Sequence, residues 1–222
     1  MSDLRTQQLK DFAAIRPAGG FRVLSVDPPW DFETRSEKGQ TKAPSAQYDT
    51  MSIDEIKQIP VDHLAAKNAV MFLWVTWPLM PHWNSIVEAM GFKYAGLAWE
   101  WIKYNPETKK YAFGTGFGTR KNLEPCLLCT RGNPKMRPNA DLPLLGIEAP
   151  KGVRSVRDFI EVMPLSCLRA PRDTHSRKPD EQYECMETMF EGPYVELFAR
   201  QRYPRWTVWG NEVDKFEVRA AS

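Results

Sequence analysis

The chain has 222 residues, 42% hydrophobic and 26% charged, with a formal net charge of +2. That size suits one domain with a single core, and the composition is that of an ordinary globular protein. No apolar run reaches the ~18 residues a membrane span needs. Met1 to Arg16 is polar and mixed in charge, unlike a signal peptide, so a cytoplasmic location and no membrane partner are expected.

In chain order, Ser2 to Ile15 reads as a short helix with a ragged apolar face of Leu4, Leu9, Phe12 and Ile15. Phe21 to Val26 is a buried strand, and it runs into Asp27-Pro28-Pro29-Trp30. Two prolines donate no backbone N–H and have fixed φ, so sheet pairing stops there and the chain is stiff. Asp27 is thereby presented at the carboxyl end of a strand, where open α/β sheets hold their ligands. The Asp27 carboxylate and the Pro28 carbonyl are two acceptors beside a flat indole. They match the two hydrogens and the π-face of an exocyclic amino group on a planar base.

Asp31 to Gln47 is polar and aperiodic, placed to be a lid over a bound base. Ser52 and Glu55 form a capping box that starts a short helix. A second helical piece is expected from Pro60 to Ala66, then a buried strand from Ala69 to Val75 and a helix from Leu79 to Met90 that stops at Gly91. Tyr94 to Ile102 is the third strand. Strand, helix and strand at this spacing predict βαβ units and a mainly parallel sheet with helices on both faces.

Tyr104 to Asn122 is expected to be loop. Its Gly114-Thr115-Gly116-Phe117-Gly118 lacks the full dinucleotide fingerprint, and no apolar helix follows. Glu124 to Thr130 is the next strand, and residues 132–156 read as irregular. Arg157 to Met163 and Leu165 to Arg169 are short strand candidates. A helix opens at Pro179 and runs to about Phe190, and strands close the chain at Tyr194 to Ala199 and Arg205 to Trp209. Residues 1–19 are expected to be a helical extension of one domain covering 20–222.

Cys126 and Cys129 lie three apart on a predicted strand, where they face opposite sides and share a metal poorly. With Cys167 and Cys185 they read as core or half-buried thiols, and no metal is expected. The segment from Arg120 to Lys178 carries twelve Lys and Arg against six Asp and Glu. Beside a base-binding motif this is a candidate phosphate track.

Three later pieces carry chemistry: His175 to Glu181 at a helix start, Glu196 to Arg202 leaving a strand, and Trp209-Gly210-Asn211-Glu212 at another strand end. Basic side chains there suit a carboxylate, and Asn and Glu suit ribose hydroxyls. These pieces, together with Val26 to Trp30, Tyr48 to Ser52 with Asp54-Glu55, Phe72 to Thr76, and Glu124 with Cys126-Leu127, resemble the MT-A70 family of S-adenosylmethionine-dependent adenine-N6 methyltransferases. The resemblance spans about residues 20 to 216.

It implies a Rossmann-like methyltransferase fold of permuted order, with the catalytic motif ahead of the cofactor strand. It also implies catalytic roles for Asp27, Pro28, Pro29 and Trp30. S-adenosylmethionine would be held by Asp27, Lys178, Phe198, Arg200, Arg202, Asn211 and Glu212, and the target by Tyr48, Glu124 and Ser176, with Arg120 and Lys121 on the phosphates. Arg202 and Glu212 stand where the eukaryotic enzyme carries other polar residues. The expected partner is nucleic acid, DNA in preference to RNA because no RNA-binding appendage is seen. An RNA substrate, cytosine N4 as the target amino group, an inactive nucleic-acid-binding subunit, and a homodimer or partner subunit stay open.

Overall fold

The computed structural model describes residues 2–31, 50–114, 120–136, 166–172 and 177–216. Two compact units emerge: Met1–Ala98 with Glu124–Pro134 and Pro193–Ser222, and Trp99–Leu123 with Lys135–Gly192.

The first unit is organised around β1 (Phe21–Val26), which pairs in parallel with β2 (Ala65–Trp74) on one side and with β6 (Tyr194–Leu197) on the other. Outside β6 lies β7 (Trp206–Trp209), again parallel, and outside β2 lies β4 (Leu123–Arg131), antiparallel. The strand β3 (Lys93–Tyr104) starts in this unit and ends in the second, where it pairs in parallel with β5 (Cys167–Pro171). Among the described residues the hydrogen-bonded strand order is β5-β3-β4-β2-β1-β6-β7, a mixed sheet.

Alternation along the strands assigns two buried faces. Leu24 and Val26 of β1, with Met71 and Leu73 of β2 and Leu127 and Cys129 of β4, join one hydrophobic cluster. Their neighbours Val23, Val70, Phe72 and Trp74 point the other way and are also buried. Strands buried on both faces read as continuous apolar runs, which is why β1 and β2 are the plainest strands in the sequence. Helices cover the first face: α1 (Ser2–Ile15) through Phe12, α2 (Ile53–Lys57) through Ile56, and α3 (Trp83–Ala89) through Ile86 and Val87.

The Ser52 capping box is present as expected: the Ser52 hydroxyl accepts from the Glu55 N–H and the Glu55 carboxylate accepts from the Ser52 N–H. Several boundaries differ. The piece after Pro60 is one 3₁₀ turn, Val61–His63, and β2 begins at Ala65 because Phe21 and Ala65 are already in register. The helix expected from Leu79 is split into a 3₁₀ segment, Trp77–His82, and α3. Pro81 lies inside the first piece and cannot donate to an α-helical ladder. The helix end at Gly91 holds, with Gly91 at φ 80, where a Cβ would fall 2.8 Å from Asp62 Cβ.

In the second unit, β5 starts two residues later than expected. A helix, α4 (Glu181–Met189), starts after Asp180, which makes no side-chain cap, and ends at Phe190. The Arg177 guanidinium donates to both Asp180 oxygens, at 3.0 and 3.3 Å, which fixes the chain entering this helix. Part of the expected 104–122 loop is built, as described below. The expected lid and the strand candidate Arg157 to Met163 lie outside the described residues, as do Gly116 and Gly118. Cys126 and Cys129 face opposite sides of β4, both buried, and burial pushes the Cys129 thiol up to about 12. It is a protonated core thiol at neutral pH.

The aromatic ring of Phe12 is fully buried, with its centroid 5.1 Å from that of Trp209. Phe12→Ala is expected to cost about 3 kcal/mol of stability. Urea unfolding followed by tryptophan fluorescence measures it.

Candidate active site

Register places the motif. Val26 stands opposite Leu73 of β2 and Leu197 of β6, and Leu197 stands opposite Trp209 of β7. The next residue of each strand therefore emerges at one level: Asp27, then Phe198, then Gly210. The Asp27 N–H still reaches the Leu197 carbonyl at 3.5 Å. On the other side of β1, the Val75 N–H donates to Pro125 O at 3.1 Å, so Thr76 and Glu124 are neighbours at the same edge. Across β1, β6 and β7 this level reads Asp27, Phe198, Gly210, and on β2 it is held by Trp74, so Thr76 and its neighbour Glu124 lie two residues further along. Neighbouring strands are about 4.8 Å apart, so Asp27 has Trp74 and Phe198 one strand away on either side.

The two prolines act as expected on the backbone, with one difference. The Pro28 carbonyl accepts from the Trp30 N–H at 2.8 Å, closing a tight turn over Pro29, so it is not the free acceptor the sequence suggested. A carbonyl oxygen has two lone pairs and can accept once more. The Pro29 carbonyl accepts from the Met51 N–H at 2.8 Å, and the Asp31 N–H donates to Met51 O at 3.2 Å. These bonds tie the Asp-Pro-Pro-Trp turn to Thr50-Met51-Ser52, two pieces that the sequence could only set side by side.

Trp30 is 5% exposed, packs in the hydrophobic cluster and donates its Nε1–H to Trp74 O at 3.0 Å. It anchors the turn to the end of β2 and offers little open ring surface. Tyr48, the other ring expected to stack, lies outside the described residues, as does Ser176.

Phe198 ends β6 at φ 63, in the left-handed region that costs a non-glycine residue energy. Its ring meets Trp209 edge-on at 5.4 Å. Gly210 answers it from β7: a Cβ there would fall 2.7 Å from Ala199 O and 3.0 Å from the Phe198 carbonyl carbon. Only glycine lets the two strand ends approach this closely, and the Ala199 N–H donates to Trp209 O at 3.0 Å. Trp209 is also held from α1, where Asp11 accepts from its Nε1–H at 3.3 Å.

Beyond the edge, the chain folds back on itself. The Arg200 Nε–H donates to Glu212 at 2.9 Å and the Arg202 Nε–H donates to Asp214 at 2.7 Å. Arg200 and Glu212 are thus partners of each other. The Arg202 side chain is 65% exposed, which makes it a surface pair with Asp214. Asn211 is exposed beside this ladder. Asp27, Glu124, Phe198, Arg200, Arg202, Asn211 and Glu212 all belong to the first unit, whereas Lys178, Arg120 and Lys121 belong to the second.

Thr76 had no role in the sequence-based site. Its Oγ1 is buried, with no hydrogen-bond partner among the described residues, two residues past the end of β2. A hydroxyl in that state is a candidate contact for a ligand. Its sequence signals were its place at the end of an apolar strand run and within the Phe72 to Thr76 piece of the family resemblance.

A mainly parallel α/β unit with a carboxylate, a buried hydroxyl and a strained strand end at one carboxyl edge is the arrangement at which open sheets hold ligands. The family model for MT-A70 matches residues 21–212, and the chain belongs to the MT-A70 family. It is 26% identical over 220 residues to the Type II methyltransferase M.MunI of Mycoplasma sp, covering 91% of this chain and 82% of that protein. It is 30% identical over 227 residues to the human N(6)-adenine-specific methyltransferase METTL4, covering 94% of this chain. It is 26% identical over 200 residues to the human N(6)-adenosine-methyltransferase catalytic subunit METTL3. The match spans only 42% of METTL4 and 29% of METTL3.

The Glu212 carboxyl is held below its ordinary 4.5, first by the hydrogen bond from Lys215, with the Arg200 charge adding to it and burial opposing it. Its pairing therefore stabilises the fold fully above pH 4.5 and is lost as the pH falls through the lower folded value. Glu212→Gln is expected to lower Tm by at most about 3 °C at pH 7. The gap should narrow as the pH falls below 4.5, as read by thermal unfolding across an acid pH series.

Proposed function

We propose that this chain transfers the methyl group of S-adenosylmethionine to the N6 amino group of adenine in nucleic acid, DNA in preference to RNA. The observation that carries the reading is the register that sets Asp27 level with Phe198 and Gly210, inside the family match. The similarity to M.MunI over most of both chains supports DNA, and the similarity to METTL3 keeps RNA as an outcome of the assay. We read 20–222 as the catalytic domain, with 1–19 as a helical extension, in the cytoplasm, and the catalytic motif preceding the cofactor strand in a permuted Rossmann-like order.

The donor set suits this cofactor. Asp27 is an anion at the strand edge for a cationic centre, and Asn211 with the Arg200–Glu212 pair offers polar groups for ribose hydroxyls. Lys178 serves the carboxylate in this reading, with Phe198 against the methionyl and ribosyl body. When bound, S-adenosylmethionine supplies an electrophilic methyl group.

The chain's own residues do the rest. The N6 lone pair of adenine is delocalised into the ring. The Asp27 carboxylate and the second lone pair of Pro28 O accept its two hydrogens and favour a pyramidal nitrogen with its lone pair free. Pro29 and the Trp30 anchor keep these acceptors from moving, so the gain is one of positioning and fixed charge. Tyr48 stacks on the base, Glu124 and Ser176 meet its edge, and Arg120 and Lys121 meet phosphates. A base in a duplex is first flipped out, at a cost of a few kcal/mol.

Asp27→Ala is expected to stay folded and keep most of its binding of labelled cofactor, through the other cofactor residues, while losing at least about 10²-fold in methyl transfer. The measurement is nucleoside mass spectrometry on matched DNA and RNA oligonucleotides, single- and double-stranded. Near-normal activity, or methyl on cytosine, overturns the reading. Thr76→Val removes a hydroxyl that no described residue satisfies, so stability should hold or rise. A fall of about tenfold in kcat would assign the hydroxyl to the substrate.

A further inference from the structure

We propose that the second unit carries a single-strand-binding arm, in which aromatic rings on one face of a small hairpin stack on unpaired bases and interleaved cations meet the phosphates. The proposal rests on the reading that the chain acts on nucleic acid.

The arm is built, although the sequence read it as loop. At the end of β3 the chain turns tightly. Asn105 Oδ1 accepts from the N–H groups of Glu107 at 2.9 Å and Thr108 at 3.0 Å, and Lys109 takes φ 56. The returning segment is bound by Asn105 N to Lys110 O at 2.8 Å, Ala112 N to Lys103 O at 2.8 Å and Gly114 N to Lys121 O at 2.7 Å. On the far side of β3, Arg172 N donates to Tyr104 O at 2.7 Å, continuing the β5 pairing.

Tyr104 and Tyr111 are bridge partners, so they share a face. Phe113, two residues on, shares it by alternation. Three cations join them. The Arg169 guanidinium lies 5.4 Å and the Lys109 ammonium 5.6 Å from the Tyr104 ring centre, and Arg120 lies 4.3 Å from that of Phe113. Tyr111 is 60% and Phe113 52% exposed, which no core role requires.

The charge balance decides the occupant. From residue 103 to 121 the described residues include five basic side chains and one acid, Glu107. An apolar partner would not be matched by that excess, whereas a polyanion is. Exposed rings on a strand face flanked by cations are the arrangement that holds unpaired nucleotides without reading their sequence. Stacking on Arg and Lys also holds the cations in place before binding, which reduces the ordering cost.

The test is fluorescence anisotropy of the full chain with a labelled oligonucleotide that contains no adenine, as single strand and as duplex, across a salt series. Tyr111→Ala with Phe113→Ala should weaken single-strand binding on the order of tenfold for each ring and leave duplex binding nearly unchanged. Lys109→Ala with Arg120→Ala should flatten the slope of log K against log salt by roughly 0.7 for each phosphate no longer neutralised. Circular dichroism confirms that both variants are folded. Unchanged single-strand affinity in the aromatic variant overturns the proposal. So does light scattering that shows a wild-type dimer separated by these substitutions, because the arm would then be an interface between copies. Using an adenine-free probe separates this result from the methyltransferase reading, which stands or falls on mass spectrometry of adenine-containing strands.

Discussion

Parallel register is the constraint on which the site depends. Val26 is hydrogen-bonded between β2 and β6, and Leu197 carries the same level on to Trp209. A slip of one residue would turn Asp27 to the other face of the sheet and take Leu24 and Val26 out of the cluster that buries them. Burial of the strand and presentation of the carboxylate are therefore one requirement. The apolar pattern that makes β1 stable also fixes where its acid emerges.

The edge is built by subtraction as much as by placement. Pro28 and Pro29 remove ladder donors, and Gly210 removes a Cβ that would collide with Ala199. Phe198 accepts a backbone conformation that costs energy, in exchange for ending β6 beside Asp27. Trp30 is the opposite kind of residue. It is large and buried, and its indole N–H binds the far end of β2, so the turn cannot drift from the strand whose end neighbours it.

The central strands and the Asp27 turn were legible because a doubly buried strand is an unbroken apolar run and two prolines mark its end. Strand direction was not. β4 runs antiparallel to β2, yet its sequence looks the same in either direction. The split at Pro81 was readable in principle, since the missing N–H is a local fact. The Arg200–Glu212 and Arg202–Asp214 pairs were hidden, because they arise from a chain reversal twelve residues long whose partners look like independent site residues. Trp30 misled for a similar reason: an aromatic beside a candidate site looks like a platform until burial assigns it to the core.

The contact between Asp11 and Trp209 joins residues 198 positions apart, and β1 is flanked by a strand that begins at Tyr194. During synthesis, then, β1 leaves the ribosome long before β6 exists to pair with its second edge. For that interval a strand that is buried in the finished core has an open row of backbone donors and acceptors, the kind of edge on which chains associate wrongly. Folding must wait for the last strands, and the nascent chain should lean on chaperones more than its modest size suggests.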